Sequence, residues 1–176
     1  AKSVLLVEGD AEEILVPILI KQVFGLSLDE LGISLINIRS TGFENVGVLF
    51  HDMRIRKNCA IVTDLDQAFI DLTPDPLDSD AEIKAKSRAL GSQTSGAARS
   101  GRLNAFCHGN AWLSAHFAQH TFEVDFILAG NSAAVVSVLN DIYVDAGTIA
   151  QAKADLESGD IARYGTRVLT MAKHVG

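Results

Sequence analysis

The sequence predicts an α/β protein: a parallel sheet flanked by helices, followed by a helical carboxyl-terminal extension. Three observations predict it. Short apolar, β-branched runs recur at residues 3–7, 33–38 and 59–63. Between them lie segments whose apolar residues recur at helical spacing, and strands alternating with helices imply a parallel sheet with right-handed crossovers. Finally, 48% of the 176 residues are apolar and the mean hydropathy is +0.21, which suits a sizeable core and excludes a disordered chain.

The first run, Ser3-Val4-Leu5-Leu6-Val7, has the pattern of a strand buried on both faces. Glu8-Gly9 breaks it, and Asp10-Ala11-Glu12-Glu13 opens a helix, with Asp10 and Glu13 at the spacing of a capping box. Ile14, Leu15, Ile18, Leu19 and Val23 are the expected apolar face of that helix, Pro17 strains it, and Gly25 ends it. The second strand, 33–38, stops at Arg39-Ser40-Thr41-Gly42. Thr41 and Glu44 form another capping-box spacing, and Val46, Leu49, Phe50 and Met53 predict an amphipathic helix. The third strand, 59–63, ends at Asp64-Leu65-Asp66 and completes a βαβαβ unit. Residues 67–102 differ in composition, with acids giving way to bases and Pro74, Pro76, Gly91, Gly96 and Gly101 between them. They predict a loop, a short helix around 81–90 and a flexible Gly/Ser segment. A fourth strand is expected over 102–108, before a turn at Gly109-Asn110. Helices are expected over 123–128, through Ala134, Val135, Val138, Leu139 and Ile142, and through Ile161, Tyr164, Val168 and Ala172. The expected division is an α/β core over 1–110, with 67–102 as a variable insert, and a mostly helical extension over 111–176 packed on it.

Composition narrows the function classes. A net charge of −7 argues against a simple electrostatic grip on nucleic acid, and 6% aromatic residues leave few stacking platforms. Cys59 and Cys107 lie in apolar stretches, so a disulfide scaffold is excluded and a cytoplasmic protein with buried thiols is expected. No run reaches the ~20 apolar residues of a membrane span. The start has no signal-peptide pattern and no initiator Met, so the chain is expected to be part of a longer protein. No Gly-x-x-x-x-Gly-Lys-Ser/Thr occurs, so the chain holds no P-loop ATPase.

The acids carry the chemistry. Ligands of an open parallel sheet gather outside the carboxyl ends of its strands. Glu8 follows the first strand, with Glu12 one helical turn on. Asp64 and Asp66 follow the third, where a period of two aims both the same way. Four carboxylates in one small region repel one another unless cations lie between them. Hard divalent ions with oxygen ligands, Mg²⁺ or Mn²⁺, are the natural partners. Taken singly, Glu-Gly after a strand is a common turn and Asp-x-Asp a common solvated loop; their coincidence at strand ends carries the inference.

Val4-Leu5-Leu6-Val7-Glu8-Gly9 with Asp64-Leu65-Asp66 resembles the Toprim domain, the metal-binding module of type IA and II topoisomerases, bacterial primases and several nucleases. More narrowly, Leu6-Val7-Glu8-Gly9-Asp10-Ala11-Glu12-Glu13-Ile14-Leu15, Gly42-Phe43-Glu44-Asn45, Thr63-Asp64-Leu65-Asp66 and Thr121-Phe122-Glu123-Val124-Asp125 with Leu128-Ala129-Gly130-Asn131 resemble the OLD (overcoming lysogenization defect) nucleases. In that family an ABC-type ATPase precedes a Toprim nuclease domain. The resemblance covers residues 3–131 and weakens beyond them. It implies a Toprim-like, Rossmann-like sheet and divalent-metal-dependent hydrolysis of DNA phosphodiesters. Glu8, Glu12, Asp64, Asp66 and Glu123 would bind metal, and Glu8, Asp64 and Asp66 would be catalytic. Glu123 equally suits a helix N-terminal acid favoured by the macrodipole, as does Glu13. Two Mg²⁺ or Mn²⁺ ions about 3.5–4 Å apart would activate a water and stabilise the leaving oxygen. The implied partners are DNA and an amino-terminal ATPase domain outside this chain; a homodimer would suit a double-strand cutter. Family members also carry a carboxyl-terminal Lys-Gly, whose lysine could stabilise charge at the scissile phosphate. Here Lys173 is one candidate, and a lysine beyond Gly176 is the other.

Weaker signals have ordinary readings beside functional ones. Lys84, Lys86, Arg88, Arg99 and Arg102, with Arg39 at the second strand's end, either track a DNA backbone or belong to a solvated surface. His116 and His120 stand i, i+4 with Cys107 and His108 nearby, but the remaining ligands of a tetrahedral zinc site are missing. Two alternatives stay open: a haloacid-dehalogenase-type phosphatase with Asp64 as nucleophile, and a non-catalytic metal-binding or oligomerising module. Tyr143 and Tyr164 sit in apolar helical patterns, which disfavours a topoisomerase nucleophile.

Overall fold

A computed structural model describes residues 1–175. Among these, the chain forms two compact units: residues 1–65 with 94–118, and residues 66–93 with 119–175.

The first unit is built on a parallel sheet. β1 (Ser3–Val7) leads into α1 (Asp10–Phe24) and the short α2 (Leu28–Leu31), then β2 (Ile33–Asn37), α3 (Phe43–Gly47) with a 3-10 turn to Phe50, and β3 (Asn58–Asp64). α4 (Asp80–Cys107) is shared by the two units, its first half in the second and its second half in the first. β4 (Leu113–Ala118) completes a sheet of order β2-β1-β3-β4, with every pair parallel. One sheet face packs Val4, Leu6, Cys59, Ile61 and Leu113 against Phe43 and Phe50 and against Leu103 of α4. These are alternate strand residues, as the period of two requires.

Several local expectations are corrected. Residues 102–107 are the end of α4, not a strand; the expected loop stands over 67–79, but the short helix and the flexible segment merge over 80–107 into one 28-residue helix. Residues 102–108 hold a short apolar run, Ala105-Phe106-Cys107, but Leu103, Phe106 and Cys107 also fit helical spacing, and short runs do not separate the two. The glycines of α4 oppose a helix by propensity. Tertiary packing overrides them, since Gly96, Arg99 and Leu103 form its buried stripe. A Cβ on Gly96 would lie 2.0 Å from the Leu65 carbonyl oxygen, so only glycine permits the approach.

α1 ends as expected at Gly25, whose φ of 72° and N–H bond to the Lys21 carbonyl close the helix. Its apolar face differs: Ile14, Ile18, Leu19 and Val23 are exposed, while Glu12 is buried. Residues 14–20 are apolar all round, so spacing alone does not choose the buried side. Neither expected capping box forms. Asp10 and Glu13 instead both accept from Asn37 Nδ2, at 2.7 and 2.8 Å, and Glu44 pairs with Arg102. Reciprocal capping bonds form instead between Ser27 and Glu30 at the head of α2 and between Ser79 and Glu82 at the head of α4. The helix expected through Met53 stops at Phe50, and Met53 is exposed.

The second unit is helical: α5 (Phe122–Phe126) is followed, after a kink at Gly130 whose φ is 90°, by α6 (Ser132–Ser137), α7 (Leu139–Ile142), α8 (Ala146–Leu156) and α9 (Ile161–Val175). Its core comprises Val124, Ile127, Leu139, Leu156, Tyr164 and Val168 with their neighbours, which makes Tyr164 the core residue its spacing predicts. Asp155 of α8 accepts from Arg163 at 2.9 Å and from Arg167 at 2.7 Å, tying α8 to α9. Burial pushes the Asp155 carboxyl upward, but hydrogen bonds from Arg167, Arg163 and Gln151 outweigh it and hold the group below its ordinary range. The helix through Ile142 is broken at Val138, whose φ/ψ of −103° and 5° separates α6 from α7. Among the described residues no helix is long and apolar enough to cross a membrane.

Candidate metal centre

The strand order places the reversal of chain direction between β1 and β3: the chain leaves β1 toward β2 on one side, then crosses to β3 on the other. Outside the carboxyl ends of two such strands an open α/β sheet forms its crevice. Glu8 directly follows β1 and Asp64 ends β3. Leu6 pairs with Ile61, so two further steps set Glu8 beside Thr63. The side chains agree: the buried Thr63 hydroxyl donates to Glu8 Oε2 at 2.5 Å. That bond fixes the carboxylate on a rigid strand rather than on a mobile loop.

Arg99 adds a second restraint. Gly96 brings α4 against the Leu65 carbonyl, and one helical turn later the buried Arg99 donates from Nη2 to the Asp64 carbonyl at 2.6 Å. The same nitrogen lies 3.9 Å from Glu8 Oε2. One guanidinium thus holds the backbone at Asp64 and offsets part of the charge on Glu8. Glu12 is buried on α1, and its Oε2 folds back over Gly9, where an added Cβ would meet it at 3.1 Å. A concavity of about 360 Å³ at the same end of the sheet is lined by Glu8, Gly9, Asp10, Arg39 and Ser40.

The donor chemistry of the first unit is all oxygen, with Glu8 and Asp64 at adjacent strand ends. It fits a hard divalent cation, since Mg²⁺ typically takes one or two carboxylates and retains water for its other positions. Among the described residues no three His, Cys, Asp or Glu side chains form a ready-made ligand cage. Asp66 and Glu123 belong to the second unit. The expectation that Asp64 and Asp66 point alike loses its strand basis: β3 ends at Asp64, and Asp66 has a φ of 53° in a left-handed turn. Glu123 stands in the first turn of α5.

The basic residues separate by role. Arg99 is buried in the first unit, and Arg102 pairs with Glu44 at 3.6 Å. Lys86 binds both oxygens of Asp78 and the Thr73 carbonyl. Arg39 makes an exposed 3.4 Å pair with Asp10. Lys84 and Arg88 are exposed on α4, and Lys173 is exposed on α9. His116 stands on β4 rather than on a helix with His120; its Nε2 lies 3.1 Å from Ser114 Oγ, while His120 Nδ1 donates to the Gln67 carbonyl. Cys59 and Cys107 are free thiols, and burial, then the neighbouring Cys107, pushes Cys59 up to about 11. Sequence reasoning passed over Thr63 as a site residue and placed Arg99 in a surface patch. A core-facing threonine just before a strand-end acid is the signal that identifies Thr63.

Comparison with known proteins bears on the fold. Residues 1–66 match the family model described as overcoming lysogenization defect protein-like, TOPRIM domain. A search of curated proteins found no match. Among solved structures, the C-terminal region of the Burkholderia pseudomallei OLD protein is similar over 100% of this chain and 82% of that one, with 21% identity and a TM-score of 0.67. The C-terminal region of the Xanthomonas campestris pv. campestris OLD protein is similar over 100% of this chain and 80% of that one, with 19% identity and a TM-score of 0.63. The chain therefore has the Toprim fold of the OLD C-terminal regions, and its first 66 residues match the OLD-like Toprim domain family.

Proposed function

We propose that the chain is the nuclease part of an OLD-like protein and hydrolyses DNA phosphodiesters with Mg²⁺ or Mn²⁺. The observation that carries this reading is the pair Glu8 and Asp64 at the carboxyl ends of β1 and β3, where the sheet forms its crevice, within a match to the OLD-like Toprim family. Glu8 and Asp64 would hold the cation, with Glu12 one turn behind. When bound, such an ion supplies Lewis-acid polarisation of a phosphoryl oxygen and lowers the pKa of a coordinated water. Thr63 orients the Glu8 carboxylate through its 2.5 Å bond. Arg99 fixes the Asp64 backbone and limits repulsion among the acids. The similarity to C-terminal regions of OLD proteins supports an ABC-type ATPase as the amino-terminal partner in a longer chain. The reading rests on the first unit's acids alone.

The test is cleavage of supercoiled plasmid in Mg²⁺, Mn²⁺, Ca²⁺ or EDTA, beside Glu8→Ala and Asp64→Ala, with Mn²⁺ binding followed by calorimetry. Expected are nicking or linearisation in Mg²⁺ or Mn²⁺, its loss in EDTA, and a drop of more than about 100-fold in either variant. Undiminished cleavage in both variants, or no Mn²⁺ binding by the intact chain, would overturn the assignment.

A further inference from the structure

We propose that the second unit carries a binding cavity for a phosphate ester of mononucleotide size. The cavity measures about 310 Å³ and is lined wholly by residues of that unit. Two helices shape it by the same spacing. α4 contributes Ala85, Arg88, Ala89 and Ser92, and α9 contributes Thr166, Leu169, Thr170 and Lys173, each set at i, i+3, i+4, i+7. Such positions share one helix face. The segment from Asp66 to Ile70 forms the remaining wall with Thr121.

The lining combines three chemistries. Arg88 and Lys173 both reach the cavity, and among the described residues neither makes an ion pair or hydrogen bond. Three other cations of this unit are engaged, Lys86 on Asp78 and Arg163 and Arg167 on Asp155, and Lys84 and Lys153 do not line the cavity. Asp66 also lines the cavity, leaving one positive charge in excess. The Thr121 hydroxyl is buried without a partner, which is unfavourable until a ligand atom supplies one. Ser92 and Thr166 add hydroxyls, whereas the Thr170 hydroxyl donates to the Thr166 carbonyl. The third component is apolar: Phe69, Ile70 and Leu169. The Phe69 ring is fixed, because it stands edge-on to His120 and fills the place of a Cβ on Gly165.

A lone phosphate would use the cations and leave the apolar wall unfilled. A neutral nucleoside would leave Arg88 and Lys173 without a counterion. A nucleoside monophosphate answers both, at a volume typical of small-molecule pockets. The same group is presented by a free mononucleotide and by the 5′-phosphorylated end of a DNA strand.

The experiment is calorimetric titration of the chain in EDTA with deoxythymidine 5′-monophosphate, inorganic phosphate and thymidine. It does not depend on the metal reading, since no divalent ion is present. Expected is binding of the nucleotide, tighter than of phosphate or thymidine, and weakened about tenfold or more by Arg88→Ala and by Lys173→Ala, with unchanged circular dichroism. Competition by a 5′-phosphorylated oligodeoxynucleotide, but not by its 5′-hydroxyl counterpart, would assign the group to a strand end. Competition by neither would assign it to the free nucleotide; both outcomes uphold the cavity. No binding at millimolar nucleotide would overturn the proposal. So would phosphate binding as tightly as nucleotide, or binding unchanged in both variants.

Discussion

The two units handle charge differently. At the ends of β1 and β3, Glu8, Glu12 and Asp64 are placed by rigid strands and a helix, and one buried guanidinium, Arg99, reaches Glu8 and the Asp64 backbone. In the helical unit, Asp155 accepts four bonds, from Arg163, Arg167 and Gln151, so base exceeds acid there. That cluster serves packing, because it joins α8 to α9 and leaves the carboxylate no capacity for a ligand. The strand-end cluster keeps acid in excess, at a cost in stability that a bound cation would offset. The contrast separates a structural ion cluster from a candidate functional one.

Glycine replacement in α4 is expected to give the largest effect on this comparison. By propensity alone, Gly→Ala in a helix stabilises by about 0.5–1 kcal/mol. Gly101 has open space around a Cβ and should follow that rule. Gly96 meets the Leu65 backbone, so Gly96→Ala should destabilise by about 3 kcal/mol and shift the Arg99 anchor with it. Urea unfolding of the two variants checks the opposite signs. A stabilised Gly96→Ala would mean that α4 does not fix the acids.

Asp155→Asn is expected next, at about 2 kcal/mol, because Arg163 and Arg167 lose charge-assisted bonds. Its pH dependence has a definite sign. A carboxyl held below its unfolded value contributes stability that is full above about pH 3.9 and lost as pH falls through the lower folded value. Acid titration of stability should therefore be steeper in the native chain than in Asp155→Asn. Hydrogen exchange should show the loss in α8 and α9 while β1–β4 stay protected. Equal loss in the strands would break the comparison.

Thr63→Val carries the smallest expected effect on stability, about 1.5 kcal/mol from one bond to a carboxylate. Its value lies in the metal readout: Mn²⁺ affinity should fall about 10-fold as Glu8 loses its orientation. Unchanged affinity would show that the strand alone positions Glu8.

Much of the first unit was legible in the sequence. Apolar runs bounded by Glu8-Gly9, by Arg39 to Gly42, and by Asp64 to Asp66 determine three strands, their parallel order and the strand-end acids. Periodicity and chain reversal are local signals, and parallel connections admit one handedness. The strand-end acids Glu8 and Asp64 were legible for the same reason, since each follows directly on its strand. Only the tertiary structure decided the rest. α4 is continuous because Gly96 packs against a backbone 31 residues earlier in the chain, a contact that overrides three helix-weakening glycines. Arg99 is a buried anchor because that same contact brings it to Asp64. The buried side of α1 was open because residues 14–20 are apolar all round. Sequence by itself determines what local periodicity and chain connectivity encode; the partners of α4, Thr63 and Arg99 are non-local, and such contacts exist only once the sheet has formed.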